Sequence, residues 1–266
     1  MKNNFSFKLI IILFITVLGF VLNLSTVSAI TLSPTRFEIE GNPGDVLEYE
    51  LSIINENQKT EIYYTSFANF EAQGETGDPS FTEPTEGLGT WIKMESNTVG
   101  VGPQEEKKVP FKIEIPKNAT PGGYFAVIFF GNQPSSIGGR EVGVGSQAGV
   151  LILLSVLGDA EEKAGIFDFN TKNKKFFYKT LPVDFEYRLK NEGADRIKPN
   201  GDIVIHNTLF IPTERLNANP TAGNVLPNST RKYNVSWIEY QRDENFREKE
   251  SFFGKFFDNV SYVFLA

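Results

Sequence analysis

The 266-residue chain has no cysteine, one histidine, two methionines and two tryptophans. Without thiols it cannot be stapled by disulfides, so each folded unit must be held by its own apolar core. The same absence removes thiolate metal ligands and cysteine nucleophiles. A zinc site would need several His or Cys ligands, and they are missing. The single His206 sits in the alternating run Ile203-Val204-Ile205-His206-Asn207, where it shares a face with Val204. No strained Gly-x-Ser-x-Gly turn accompanies it, so it reads as a strand residue and not as a catalytic base. Basic charge is also scarce in the first half. The formal net charge is −7, and Ile30 to Leu157 carries 8 basic against 17 acidic residues, while Gly158 to Ala266 carries 16 of each. That acidity argues against a nucleic-acid partner, which needs a basic footprint. It also keeps an exported chain soluble.

Residues 1–29 have the pattern of a secretory signal. Lys2 and Lys8 precede an apolar run from Leu9 to Leu22, and Val27-Ser28-Ala29 offers small residues for cleavage before Ile30. The run is shorter than the roughly 20 residues of a membrane-spanning helix. Retention as an N-terminal anchor is the alternative. The end, Val260 to Ala266, reads as a strand, so a C-terminal anchor could also be missing from a truncated chain.

From Ile30 onward the chain alternates with period two, and long helical periodicity is absent. Leu47, Tyr49, Leu51 and Ile53 share one face, and so do Val109, Phe111, Ile113 and Ile115. Val183, Phe185, Tyr187 and Leu189 repeat the pattern, as do Tyr233, Val235 and Trp237. Such strands bury one side and wet the other. Tyr124 to Phe130 and Val150 to Leu157 are apolar on both faces and read as central strands. Gly- and Pro-containing turns separate these runs, including Asn42-Pro43-Gly44 and Pro121-Gly122-Gly123.

The same strand–turn sequence occurs twice. Leu47 to Asn57 aligns with Val183 to Gly193, both ending in Asn-Glu and a turn former. Val101-x-Pro103 through Ile113 aligns with Val225-x-Pro227 through Trp237. The expected fold is therefore all-β: two tandem immunoglobulin-like β-sandwiches after a cleavable signal peptide. The expected boundaries are 1–29 for the signal, 30–157 for the first sandwich, 158–165 for a linker and 166–266 for the second sandwich.

No catalytic centre emerges. The adjacent Glu105-Glu106 would point to opposite faces, whereas glycoside hydrolysis needs two acids facing each other across a cleft. The glycines at 138, 139, 143 and 145 precede a strand, not a helix, so no phosphate cradle is implied. Two long loops are expected, from Glu71 to Thr90 and from Gly131 to Gln147, and long loops often carry function. The first is acidic but lacks the spacing of a calcium loop. Its residues Asp78, Phe81 and Glu83, with Trp91 just beyond it, are the candidate binding residues. Trp91 fits either core packing or a partly exposed contact, whereas Trp237 alternates into a core. Asn118, Asn228, Asn234 and Asn259 open glycosylation sequons, which matter only in a cell with that pathway. No cofactor and no metal are expected.

Phe37 to Asp45, the strand ending Ile54-Asn55-Glu56, and Pro121-Gly122-Gly123-Tyr124-Phe125 resemble the N-terminal domain of the WxL-interacting proteins of bacterial cell walls. They also resemble uncharacterised exported bacterial proteins of two-domain plan. The resemblance covers about residues 30 to 157, and similar motifs occur in pilus chaperones. It implies a surface protein whose first domain contacts peptidoglycan and whose second meets a protein. The main expectation is a non-enzymatic binding or adhesion protein at the cell surface or envelope, contacting a wall polymer or a surface protein. Membrane attachment would run through an uncleaved signal or a missing anchor. The alternatives are a periplasmic-type assembly chaperone, predicted to have a basic cleft for a client carboxylate, and a carbohydrate-active hydrolase.

Overall fold

The computed structural model describes residues 30–133, 147–175, 177–178, 180–207, 209–238 and 262–263. The signal segment, the glycine-rich stretch 138–145 and most of the C-terminal run lie outside these residues. Among the described residues no helix is long and apolar enough to cross a membrane.

The fold is all-β and immunoglobulin-like, in two halves with separate cores. In the first half, a four-stranded sheet orders β1 (Ile30–Ser33), β3 (Val46–Asn55), β8 (Glu106–Glu114) and β6 (Ile92–Lys93). It faces a six-stranded sheet ordered β2 (Arg36–Gly41), β10 (Gln147–Val156), β9 (Gly122–Gly131), β4 (Glu61–Gln73) and β5 (Asp78–Thr82), with β7 (Thr98–Val101) also on β4. The chain changes sheets between β1 and β2: β1 pairs antiparallel with β3, and β2 pairs parallel with β10.

The period-two pattern sets the core. Leu51 and Ile53 on β3 and Val109, Phe111 and Ile113 on β8 point inward, while Glu48, Glu50, Lys108 and Lys112 stay outside. There Lys108 pairs with Glu50 and Lys112 with Glu48 across the strands, exposed pairs of the kind that contribute little. Phe37, Tyr49 and Phe111 form an aromatic triplet with centroids 5.3–5.9 Å apart.

The second half has the sheet β11 (Ala164–Thr171), β13 (Val183–Asn191) and β16 (Ser229–Trp237), and the pair β14 (Asp202–His206) and β15 (Pro212–Asn217). A further short pair joins β12 (Phe177–Tyr178) to β17 (Tyr262–Val263). Phe185, Tyr187, Ile205, Tyr233 and Trp237 dominate its core. Trp237 Nε1 donates to Glu214, which accounts for a buried carboxylate there. The first strand of this sheet starts at Ala164, inside the expected 158–165 linker.

The repeat read from sequence is a repeat of register. Leu51 faces Val109, Tyr49 faces Phe111 and Leu47 faces Ile113. In the second half Tyr187 faces Tyr233, Phe185 faces Val235 and Val183 faces Trp237. The two aligned segments are hydrogen-bonded neighbours in each half, and these three pairs correspond.

One expectation needs correction. Residues 71–90 are not a structureless loop. β4 runs on to Gln73, turns through Gly74 and Gly77, both at positive φ, and returns as β5. Pro79 within β5 disguised the strand, but proline is tolerated on an edge strand, and β5 is one. A single helical turn, α1 (Leu88–Trp91), follows.

Candidate functional site

The double-sided apolarity of β9 and β10 has a structural cause. One face, carrying Ala126, Ile128, Phe130, Ile152 and Leu154, fills the first core. The other carries Phe125, Leu151 and Leu153, which join Phe70 and Ala72 of β4 and close on Leu226 of the second half. The outer face of the six-stranded sheet is thus a docking surface for the second half.

Polar contacts lock the junction. Arg188 on β13 reaches the turn between β4 and β5, with Nε 3.0 Å from Glu75 Oε2, while its Nη1 lies 2.6 Å from Asp168 and 2.9 Å from Glu186. The Glu75 hydrogen bond, supported by Asp168 and against the cost of burial, raises the guanidinium pKa. The Lys232 amide donates to the Glu75 carbonyl at 2.7 Å. On the opposite side, Glu38 of β2 accepts from Asn224 Nδ2 at 2.9 Å and from Lys198 Nζ at 3.2 Å. Arg196 donates to Ser155 on β10.

The Gly122-Gly123 pair lies directly against the second half. Gly123 N donates to Ala194 O at 2.9 Å. A Cβ on Gly122, whose φ is +138°, would stand 2.8 Å from that same carbonyl oxygen. A Cβ on Gly123 would stand 2.6 Å from Asp195 Oδ1. Glycine here permits backbone-to-backbone approach.

Beside this junction opens a cleft of about 1000 Å³ lined by both halves. Phe70, Ala72 and Phe125 supply apolar surface from the first sheet. Trp91 and Tyr124 add rings 4.5 Å apart, and Leu226, Pro227, Asn228 and Ser229 come from the second half. Asn69 fixes one wall: its Nδ2 donates to Glu86 O and its Oδ1 accepts from Gly89 N, tying the chain around α1 to β4. Tyr124 OH is held to Thr120. Three carboxylates, Glu71, Glu83 and Glu86, line the cleft, and among the described residues no Lys or Arg does. Glu38, Glu75 and Glu186 are paired with Lys198, Arg188 and Lys232. The three cleft carboxylates form no ion pair among the described residues.

The candidate binding residues divide here. Glu83 and Trp91 line the cleft together. Asp78 opens β5 and accepts from Thr76 Oγ1, outside the lining. Phe81 lies farther along β5, 42% exposed, against Phe129 at 5.0 Å and Phe70 at 6.2 Å. Sequence reasoning did not single out Glu86, Tyr124, Phe125 or Leu226 as site residues. The aromatic strand after Gly122-Gly123 was the available signal for the middle two. Among the described residues this surface is not the basic cleft predicted for a chaperone. No group of metal-ligating side chains occurs among the described residues.

No protein family matches the chain, and no curated protein matches its sequence. Among solved structures, the chain is similar to the class 5 fimbriae chaperone CfaA (11% identity, 81% of this chain and 95% of that one, TM-score 0.44). It is similar to a complex of CsuC chaperone and CsuE tip subunit from archaic Csu pili of Acinetobacter baumannii (12% identity, 79% and 89%, TM-score 0.41). A third is the SafA pilin–SafB chaperone complex of Salmonella enterica (9% identity, 79% and 85%, TM-score 0.39). The likeness is one of fold. These matches correct the expectation of a cell-surface adhesion module for a wall polymer: structures that align along both halves are chaperones of fimbrial subunits, and none of these three is a WxL-interacting protein.

Proposed function

We propose that this chain is a non-enzymatic assembly chaperone for exported subunits, holding a client polypeptide at the cleft between its two halves. The observation that carries the reading is that cleft: Ala194 and Leu226 to Ser229 of the second half line it together with β4, β9 and α1 of the first. Its mixture of aromatic rings, backbone edges and a few charged groups suits a polypeptide ligand. The Arg188 and Glu38 contacts hold the walls in place before a client arrives, which lowers the ordering cost of binding. Export through residues 1–29 belongs to the same proposal and places the protein in the envelope, with a surface-destined protein as its partner.

The test is photo-crosslinking in the native host, with a photoreactive residue at Thr85 on the cleft wall. Adducts with an exported subunit are expected, and they should disappear when Leu226→Arg fills the cleft. Adducts only with wall glycan, or subunit adducts equally strong from a probe at Glu114 on β8, would sink the reading.

A further inference from the structure

We propose, building on the chaperone reading, that the cleft selects its client through a cation: the occupant is an extended segment alternating apolar residues with Lys or Arg. Two independent features point to positive charge. The first is the lining itself, with Glu71, Glu83 and Glu86 and no basic side chain among the described residues. Glu38 and Glu75 at the junction and Glu48 and Glu50 on β3 have cationic partners, whereas these three stand without ion pairs among the described residues. The second feature is the aromatic floor. Trp91 and Tyr124 are only partly buried, and their ring faces attract ammonium and guanidinium groups.

The shape of the site supplies the rest. Glu71 lies on β4 opposite Ser80, Glu83 follows β5, and Glu86 precedes α1. The carboxylates therefore come from successive stretches of chain, and no group of three acids close enough to hold a metal ion occurs among the described residues. That spread suits successive side chains of an extended polypeptide better than a single ion. Phe70, Ala72, Phe125 and Leu226 take the apolar residues between the cations. A client carboxylate, the handle a basic cleft would take, is repelled here.

The experiment uses the chain from Ile30 to Ala266 and three labelled peptides of equal length, alternating Val with Lys, Val with Thr, and Val with Glu. Fluorescence anisotropy at low and high salt reads the affinity. The Lys peptide is expected to bind with an affinity that falls with salt, the Thr peptide several-fold more weakly, and the Glu peptide not at all. Glu83→Gln with Glu86→Gln should weaken the Lys peptide by on the order of tenfold and leave thermal unfolding unchanged. Glu106→Gln with Glu114→Gln, on β8 outside the cleft, should change nothing. Equal binding of the Thr or Glu peptide overturns the cation inference and leaves the chaperone reading standing. Equal losses from the β8 variant also overturn it, by showing a general attraction to an acidic half. If no peptide binds, the inference fails, and the crosslinking result alone decides the chaperone reading.

Discussion

Asn55 and Asn191 are the same residue used twice. Both are fully buried at the end of a core strand. Asn55 Nδ2 donates to Lys59 O at 2.8 Å and Val101 O at 3.1 Å, and its Oδ1 accepts from Asn57 N at 3.0 Å. Asn191 Nδ2 donates to Asp195 O at 2.7 Å and Val225 O at 3.0 Å, and its Oδ1 accepts from Gly193 N at 2.9 Å. These three partners of the first are the sequence-aligned counterparts of the three of the second; Asn55 Nδ2 also reaches Gly102 O at 2.8 Å. A neutral amide is needed at this place because the site presents both carbonyls and an N–H.

Replacing either asparagine by alanine strands buried backbone groups and should cost about 2 kcal/mol or more. Asn55→Asp should be worse than Asn55→Ala despite its matching shape, because a carboxylate would face the carbonyls of Lys59, Val101 and Gly102. Urea midpoints for the three variants check the order. An aspartate as stable as the wild type would contradict the assigned hydrogen bonds.

Gly122→Ala should loosen the junction. The substitution places a methyl against Ala194 O at a φ that L-residues rarely adopt. The expected loss is about 1–3 kcal/mol. Hydrogen exchange should rise at residues 194–198, whose backbone and side chains meet the first half, while the β3–β8 core keeps its protection.

Arg188→Met should weaken the same junction from its other side, by removing the pair with Glu75, for which Asp168 in the same half as Arg188 helps to hold the guanidinium. The deficit relative to wild type should shrink at high salt, because screening weakens the wild-type pairs and leaves methionine untouched. Unfolding midpoints at low and high salt measure it. A deficit that ignores salt would mean that Arg188 acts through packing alone.

Acid should weaken the Glu38 contact. Burial raises the Glu38 pKa, but hydrogen bonds from Asn224 and Lys198 and the nearby Arg36 outweigh it, so the carboxyl ends below its ordinary 4.5. Lys190 and Lys163 hold Glu192 down to about 2. Both shifts are depressions, so the stability they bring is present above pH 4.5 and is lost as pH falls through the folded-state values. Glu38→Gln should flatten part of the fall in urea midpoint as the pH drops below 4.5. An unchanged pH profile in that variant would argue against the pairing.

Alkali acts through Tyr187. Burial, and then the neighbouring Tyr233, push its phenol from 10.0 up to about 12, and its OH donates to Ala218 O. The folded state disfavours the phenolate, so stability should fall as pH rises from 10 through about 12. Ultraviolet difference titration should show a late phenol that disappears in Tyr187→Phe.

The strands were legible because burial on one face of a sheet writes a local period of two. Leu47 to Ile53 and Val183 to Leu189 carry that signal in adjacent residues, and their repetition located two cores without any contact being known. The β4–β5 hairpin was not legible. Its second strand contains Pro79 and polar residues, and an edge strand needs neither a continuous hydrogen-bond ladder nor two apolar faces. Glu83 and Trp91 could be picked out as an acid and an aromatic near a suspected loop, but nothing local joined them to Tyr124 or Leu226.

The sequence alone therefore determined the all-β class, the doubled strand pair and the lack of thiol or His-cluster chemistry, since each is carried by composition or by neighbouring residues. Only the tertiary structure decided what the second apolar face of β9 and β10 was for, why Gly122 and Gly123 must lack side chains, and that the cleft is acidic. Arg188 and Glu75 are 113 positions apart, and the cleft gathers residues from 69 to 229. A periodic pattern says that a face is covered. What covers it depends on how distant segments dock, and no local pattern encodes that.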